Sequence, residues 1–218
     1  DIRSKIFYTF LMLVVVRLGS QLPIPGVDRS YFANWFSQQV GDAFNFFDAF
    51  TGGSFERMSI FALNITPYIT SSIIIQLLTI AIPALEELYR DGEDGRKKIN
   101  NITRFVTLGL SVLESAGLAI GFGKQGLLSN YGPLIVIEMI VCLTAGSVFV
   151  MWLGEQITDK GVGNGISIIL LCNIVSRMPS DLFNLYQKFM EGKQISNVII
   201  AGVIISIVII GTIILTII

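Results

Sequence analysis

The run "VIIAGVIISIVIIGTIILTII", residues 198–218, contains no charged residue, and it limits what the chain can become more than any other feature. About 20 apolar residues in a helix match the roughly 30 Å hydrocarbon core of a bilayer. Runs of the same kind lie near 6–22, 67–82, 102–122, 134–153 and 162–178. Lipid offers no hydrogen bonds, so a spanning backbone must satisfy itself as a helix or a closed barrel. Barrel strands alternate polar and apolar residues over about ten positions, and these runs do not alternate. The expected fold class is an all-α polytopic membrane protein with six transmembrane helices. Composition agrees, because 14% charged residues at a mean hydropathy of +0.70 leave too little charge to cover a soluble domain.

Lys and Arg set the expected orientation. Arg3 and Lys5 precede the first run, and Arg90, Arg96, Lys97 and Lys98 sit between the second and third, with Arg104 just beyond. The opposite connections hold only Arg29 and Lys124. Cations of short loops stay inside, so the N-terminus and the connection "YRDGEDGRKK" are expected in the cytoplasm. Arg177, Lys188 and Lys193 run against this pattern, facing a lone Lys160, but the early segments outweigh them. The first run leads to Pro23-Ile24-Pro25-Gly26 and not to a small-residue cleavage site, so it does not read as a cleavable signal. The external connection that follows carries Phe32, Trp35, Phe36, Phe44, Phe46, Phe47 and Phe50, and such rings are expected to lie at the headgroup boundary.

One run is interrupted. Residues 67–82 make about 24 Å of helix, too short to span comfortably, and the missing depth must come from 54–63. Pro67 opposes one straight helix through both pieces, while Asn64 and Thr66 are cap-type residues. The economical picture is a short re-entrant half-helix, a break and a second half-helix; an ordinary proline-kinked span is the alternative. Broken backbone at depth is tolerated only against protein or an aqueous cavity, which makes this place a pathway candidate. Ile65, Ile69, Ser72 and Gln76 share one helical stripe, and Ile166, Leu170, Asn173 and Arg177 repeat its offsets after the glycine-rich "GVGNG". No strand precedes those glycines, so a nucleotide loop is a poor reading; a tight turn fits.

Chemistry-bearing residues are sparse. There is no histidine, which removes the commonest general base and metal ligand. Cys142 and Cys172 fall in apolar runs and read as buried free thiols. Arg17 can snorkel from the outer end of the first run, Glu138 is near the outer end of the fourth, and Glu114, deep in the third, should face protein or water. Paired aspartates, a Ser–His pair or a zinc motif are not visible inside the runs, so the chain does not read as an enzyme and no cofactor is expected. A net charge of −1 argues against general nucleic-acid binding. Two Asn-X-Thr matches, at Asn64 and Asn101, fall at membrane depth and at the cytoplasmic end and read as chance.

The texts "VRLGSQLPIPGVD", "FNFFDAFTGGSFERMSIFALNITPYITSSIIIQLL", "EDGRKKINNITRF" and "MWLGEQITDKGVGNGISIIL" occur in the order found in the SecY family, which the chain resembles over nearly its whole length. The resemblance implies the central subunit of the bacterial protein-conducting channel, in the plasma membrane, with ten spans in two inverted halves. Residues 1–178 would be the first half, 179–197 an external connection, and 198–218 the start of the second half, its sixth span incomplete. Ser54, Phe55, Glu56, Arg57, Met58, Ser59, Ile60 and Phe61 would form a plug closing the outer side. Ile65, Ile69, Ile166 and Leu170 would form an apolar pore ring, Leu170 being a mild departure from isoleucine. Thr70, Ile73 and Gln76 would belong to a lateral gate opening toward lipid, and Arg96, Lys97 and Lys98 to a cytoplasmic partner surface. The implied partners are SecE-like and SecG-like small membrane subunits, a SecA-type motor ATPase or a ribosome, the translocating polypeptide with its signal sequence, and the lipid bilayer. A secondary transporter also uses broken helices, but it needs charged or coordinating groups at midplane, where this chain offers Ile and Leu. A structural scaffold would not need two broken starts at matching places.

Overall fold

The computed structural model describes residues 2–27, 32, 34–36, 48–128 and 132–191. Arg29, Phe44, Phe46, Phe47, Lys193 and the sixth apolar run at 198–218 lie outside the described residues. The chain divides into two units, 1–176 and 177–218. The first holds all of the geometry below; the described part of the second is helix only.

Among the described residues six helices of eight residues or more follow in order: α1 (Ile2–Gly19), α2 (Thr66–Ala81), α3 (Pro83–Arg90), α4 (Glu93–Lys124), α5 (Pro133–Lys160) and α6 (Gly165–Glu191). Among the described residues α4 and α5 are each long and apolar enough to cross a membrane, and α2 with α3 passes the same test as a bent pair. In α1 the apolar stretch is flanked by Arg3, Lys5 and Arg17. α6 continues through Pro179 to Glu191, beyond the expected end of its run near Met178.

The charged connection between the second and third apolar runs is more ordered than its charges suggest. Pro83 holds Ile82 extended (φ −112°, ψ 112°), ending α2 and turning the chain by 103° into α3. Gly92 at φ 76° makes the next turn, and Glu93 and Asp94 then open α4, where carboxylates complement the positive end of the helix dipole. α4 therefore begins nine residues before its apolar run and reaches 32 residues, about 48 Å.

The core has two parts, and one non-helical segment feeds both. Phe55, Met58, Ala62 and Leu63 pack with Ile24, Phe32, Phe36, Phe122, Met139 and Leu143. Phe61 and Ile65 pack with Val16, Val150, Leu153, Ile157 and Ile169. Of the aromatic residues expected at the headgroup boundary, Phe32, Trp35 and Phe36 go instead into the first part. Phe32 stands edge-on to Phe122 at 5.1 Å between ring centres, Trp35 lies 5.8 Å from the same ring, and Phe36 lies 6.0 Å from Phe55. Their role is to cover irregular backbone, which needs an apolar lid more than a lipid surface needs rings.

α5 approaches that segment closely at Gly146, where a Cβ would collide with the Ile60 carbonyl. Gly146→Ala is expected to cost about 1–3 kcal/mol through overpacking. Gly109→Ala, at a position with open space around it, should leave stability unchanged. Thermal unfolding of the two variants in detergent checks this contrast.

Candidate functional site

The segment 48–65 is the site's centre. A short helix was the expectation for 54–63; the chain instead folds as consecutive tight turns. Gly52, Gly53, Met58 and Asn64 all have positive φ (66°, 81°, 43° and 49°), and no right-handed helix accommodates such residues. Its backbone is satisfied by turn bonds, Met58 N–H to the Phe55 carbonyl, Ala62 to Ser59 and Asn64 to Phe61, each 2.9 Å. Two more bonds tie it to the chain leaving α1: Ile24 N–H to the Met58 carbonyl and Ile60 N–H to the Leu22 carbonyl, both 3.0 Å. These flank the isolated bridge between Pro23 and Ser59.

Side chains complete the fastening. Asp48, which sequence reasoning passed over, is fully buried, and its Oδ1 accepts the Glu56 N–H at 2.8 Å. Thr51 Oγ1 donates to the Asp48 carbonyl at 3.0 Å and accepts the Phe55 N–H at 3.3 Å. Arg17 does not simply snorkel: its Nη1 donates to the Gly52 carbonyl at 3.4 Å. Gly52 packs on the backbone of Asn173 in α6, where a Cβ would come within 3.1 Å.

Of the residues assigned by resemblance to a plug, Ser54, Phe55, Met58, Ser59 and Phe61 are buried and Ile60 and Glu56 half-buried. Arg57 is exposed and donates to Gln21 Oε1 at 3.0 Å.

The break itself ends at Ile65, which is the residue preceding the first turn of α2; no side chain caps the helix, so neither Asn64 nor Thr66 plays the capping role expected of it. The Ile65 carbonyl accepts the N–H groups of both Tyr68 and Ile69 at 3.1 Å. Asn64 serves through its backbone, being the residue type that best tolerates left-handed φ after glycine. Its buried Oδ1 makes no hydrogen bond.

The four residues assigned by resemblance to a ring pack on one cluster. Ile65 is buried, with Ile69, Ile166 and Leu170 packed on the same cluster. Gly154 of α5 lies beneath them: a Cβ there would stand 3.1 Å from Ile166 and 3.6 Å from Ile65. The start of α6 is held by Thr158 Oγ1 accepting Gly165 N–H (2.9 Å) and by Asn164 Oδ1 accepting Ile166 N–H (3.1 Å). "GVGNG" is thus a packed turn.

Thr70, Ile73 and Gln76 lie on the exposed face of α2, away from buried Ser71 and Ile75. Arg96, Lys97 and Lys98 are exposed on the first turns of α4. Arg96 stacks over Tyr89 and Lys97 pairs with Asp94 at 3.7 Å. Between α2, α3 and α4 opens a cavity of about 330 Å³ lined by Tyr68, Ser72, Gln76, Tyr89, Arg96 and Asn100. Arg104 joins α4 to α5 by a two-pronged pair with Glu155, at 2.7 and 2.8 Å. Glu114 is half-buried and Glu138 exposed, while Cys142 and Cys172 are free and half-buried.

These features define a class: an apolar, helical protein whose packed helices bury a non-helical break. The SecY family model matches residues 59–218, and the chain belongs to the SecY family. It is 43% identical over 196 residues to protein translocase subunit SecY of Buchnera aphidicola subsp. Acyrthosiphon kondoi, covering 88% of this chain and 55% of that protein. The SecY subunit of Escherichia coli K12 is also 43% identical over 196 residues, with 88% and 44% covered. That of Corynebacterium glutamicum is 38% identical over 216 residues, with 94% and 49% covered. The chain spans about half the length of the curated relatives it matches. Two solved structures share the fold at TM-score 0.61 and 18% identity, each covering 88% of this chain and 42% of the other. They are described as Sec61 in the canine ribosome–channel complex from the endoplasmic reticulum and as a protein-conducting channel.

The left-handed Asn64 yields a direct test. Asn64→Gly should fold as well as the parent, since glycine adopts that φ freely. Asn64→Val should lose about 1–3 kcal/mol, because a β-branched residue is strained there. Protease resistance of the purified variants separates the two outcomes.

Proposed function

We propose that the chain forms the pore-lining first half of a protein translocation channel in the bacterial plasma membrane. It would pass secretory polypeptides across and release membrane segments sideways into lipid, with no chemistry of its own. The observation that carries this reading is the gathering of Ile65, Ile69, Ile166 and Leu170 at a break in the backbone, next to a turn segment. A narrow apolar constriction excludes ions because water wets it poorly. An unfolded chain threading it would meet side chains that bind no particular sequence, as a general conduit requires.

In this reading residues 54–63 are the stopper, and Thr70, Ile73 and Gln76, already on an exposed face, border the lateral gate. In a six-span arrangement the early Lys and Arg residues favour a cytoplasmic side for the N-terminus and for the turn between α3 and α4. The cations Arg96, Lys97 and Lys98 then face a ribosome or a SecA-type motor, and small SecE-like and SecG-like subunits complete the complex. Residues 1–178 act as the first half, 179–197 as an external connection and 198–218 as the start of the second.

Substituting Ile65 and Ile69 together by Asn, in the complete gene product reconstituted in planar bilayers, should raise resting ion conductance several-fold. Unchanged conductance, with normal complex assembly, counts against the collar. Deleting 54–63 should leave a complex that assembles but leaks; a sealed deletion variant removes the stopper.

A further inference from the structure

The turn segment has no helical ladder of its own, so what keeps it seated must come from its flanks. At its far end the chain leaving α1 holds it by the two backbone bonds around Pro23 and Ser59 and by the Arg57–Gln21 contact. At its near end the fastening converges on one residue. Asp48 supplies Oδ1 to the Glu56 N–H (2.8 Å), its carbonyl to the Gly53 N–H (3.1 Å), and the same carbonyl to the Thr51 hydroxyl (3.0 Å), which in turn holds the Phe55 N–H. Asp48 is fully buried, as is Thr51.

A buried carboxylate is costly to maintain, and a charge-assisted bond to backbone N–H is among the stronger ones available. Between these two ends stand Gly52 and Gly53, whose left-handed conformations make the joint between Asp48 and the segment sharp. From this geometry we propose that the Asp48 carboxylate is a positioning group for the channel's seal, a clasp whose bond to the Glu56 N–H keeps residues 54–63 seated. The inference rests on reading 54–63 as the stopper. Movement of the stopper then requires the Glu56 N–H to leave Asp48, and that bond adds to the core packing in favouring the closed state.

Asp48→Ala and Asp48→Asn, made in the complete gene product within its assembled complex, separate the acceptor from mere packing. Asn keeps an oxygen at the Oδ1 position without its charge and should raise resting ion conductance less than Ala does. Ala removes the acceptor and should raise the open fraction about tenfold, the size expected for a lost buried hydrogen bond to a charged group. Joining Gln21→Cys to Arg57→Cys with a short bifunctional thiol reagent refastens the far end. It should return the Asp48→Ala variant to parental conductance, which a merely misfolded protein would not do. A leaky 54–63 deletion beside a tight Asp48→Ala variant overturns the clasp alone. Equal leak from the Asn and Ala variants, or a leak that the thiol bridge does not suppress, overturns it as well. A deletion variant that stays sealed removes the stopper and the clasp together.

Discussion

Everything in this fold follows from the rule that backbone N–H and C=O groups cannot be left unpaired away from water. The chain breaks its helical ladder between Gly52 and Ile65, and each break has to be compensated by something packed around it. Turn bonds satisfy part of the segment, the chain after α1 satisfies more, and Asp48 and Thr51 take the remaining N–H groups at its start. Close packing does the rest: α5 approaches at Gly146 with no side chain between, and the rings of Phe32, Phe36 and Phe122 pack with Phe55 and Met58.

The same residues that would seal the channel are also core residues. Phe55 and Met58 are almost completely buried, and Phe61 belongs to the cluster that contains Ile65. Fully burying one such side chain is worth about 1.5–3 kcal/mol. A stopper made of core, as proposed for 54–63, would be firmly closed by default, and displacing it would require a compensating interaction from whatever enters. Of the two charged side chains in the segment, Arg57 is exposed and Glu56 half-buried.

Much of this was legible in the sequence. Segment lengths and Pro67 located the break, and the paired stripes beginning at Ile65 and Ile166 picked out side chains that meet in one cluster. Local conformation was less legible. Residues 54–63 have helix-compatible composition, and nothing in the text says that Met58 and Asn64 adopt left-handed φ. Tertiary packing imposes that. The aromatic run suggested lipid contact because rings favour the headgroup boundary, yet the need to cover irregular backbone took Phe32 and Phe36 inward. Asp48 drew no notice, since a single carboxylate in a connection has no pattern until its partner, eight residues on, is seen. The early start of α4 hid behind charged residues that read as loop but suit the first turn of a helix.

The central claim is that the apolar patch at the break is where a polypeptide passes. A photoreactive amino acid at Ile69, in the complete gene product, with a secretory chain arrested midway, tests it most directly. A collar at this position predicts that illumination joins Ile69 to the arrested chain, and that the same probe at Ile120, on the exposed face of α4, captures little of it. Capture at Ile120 with none at Ile69 would contradict the claim.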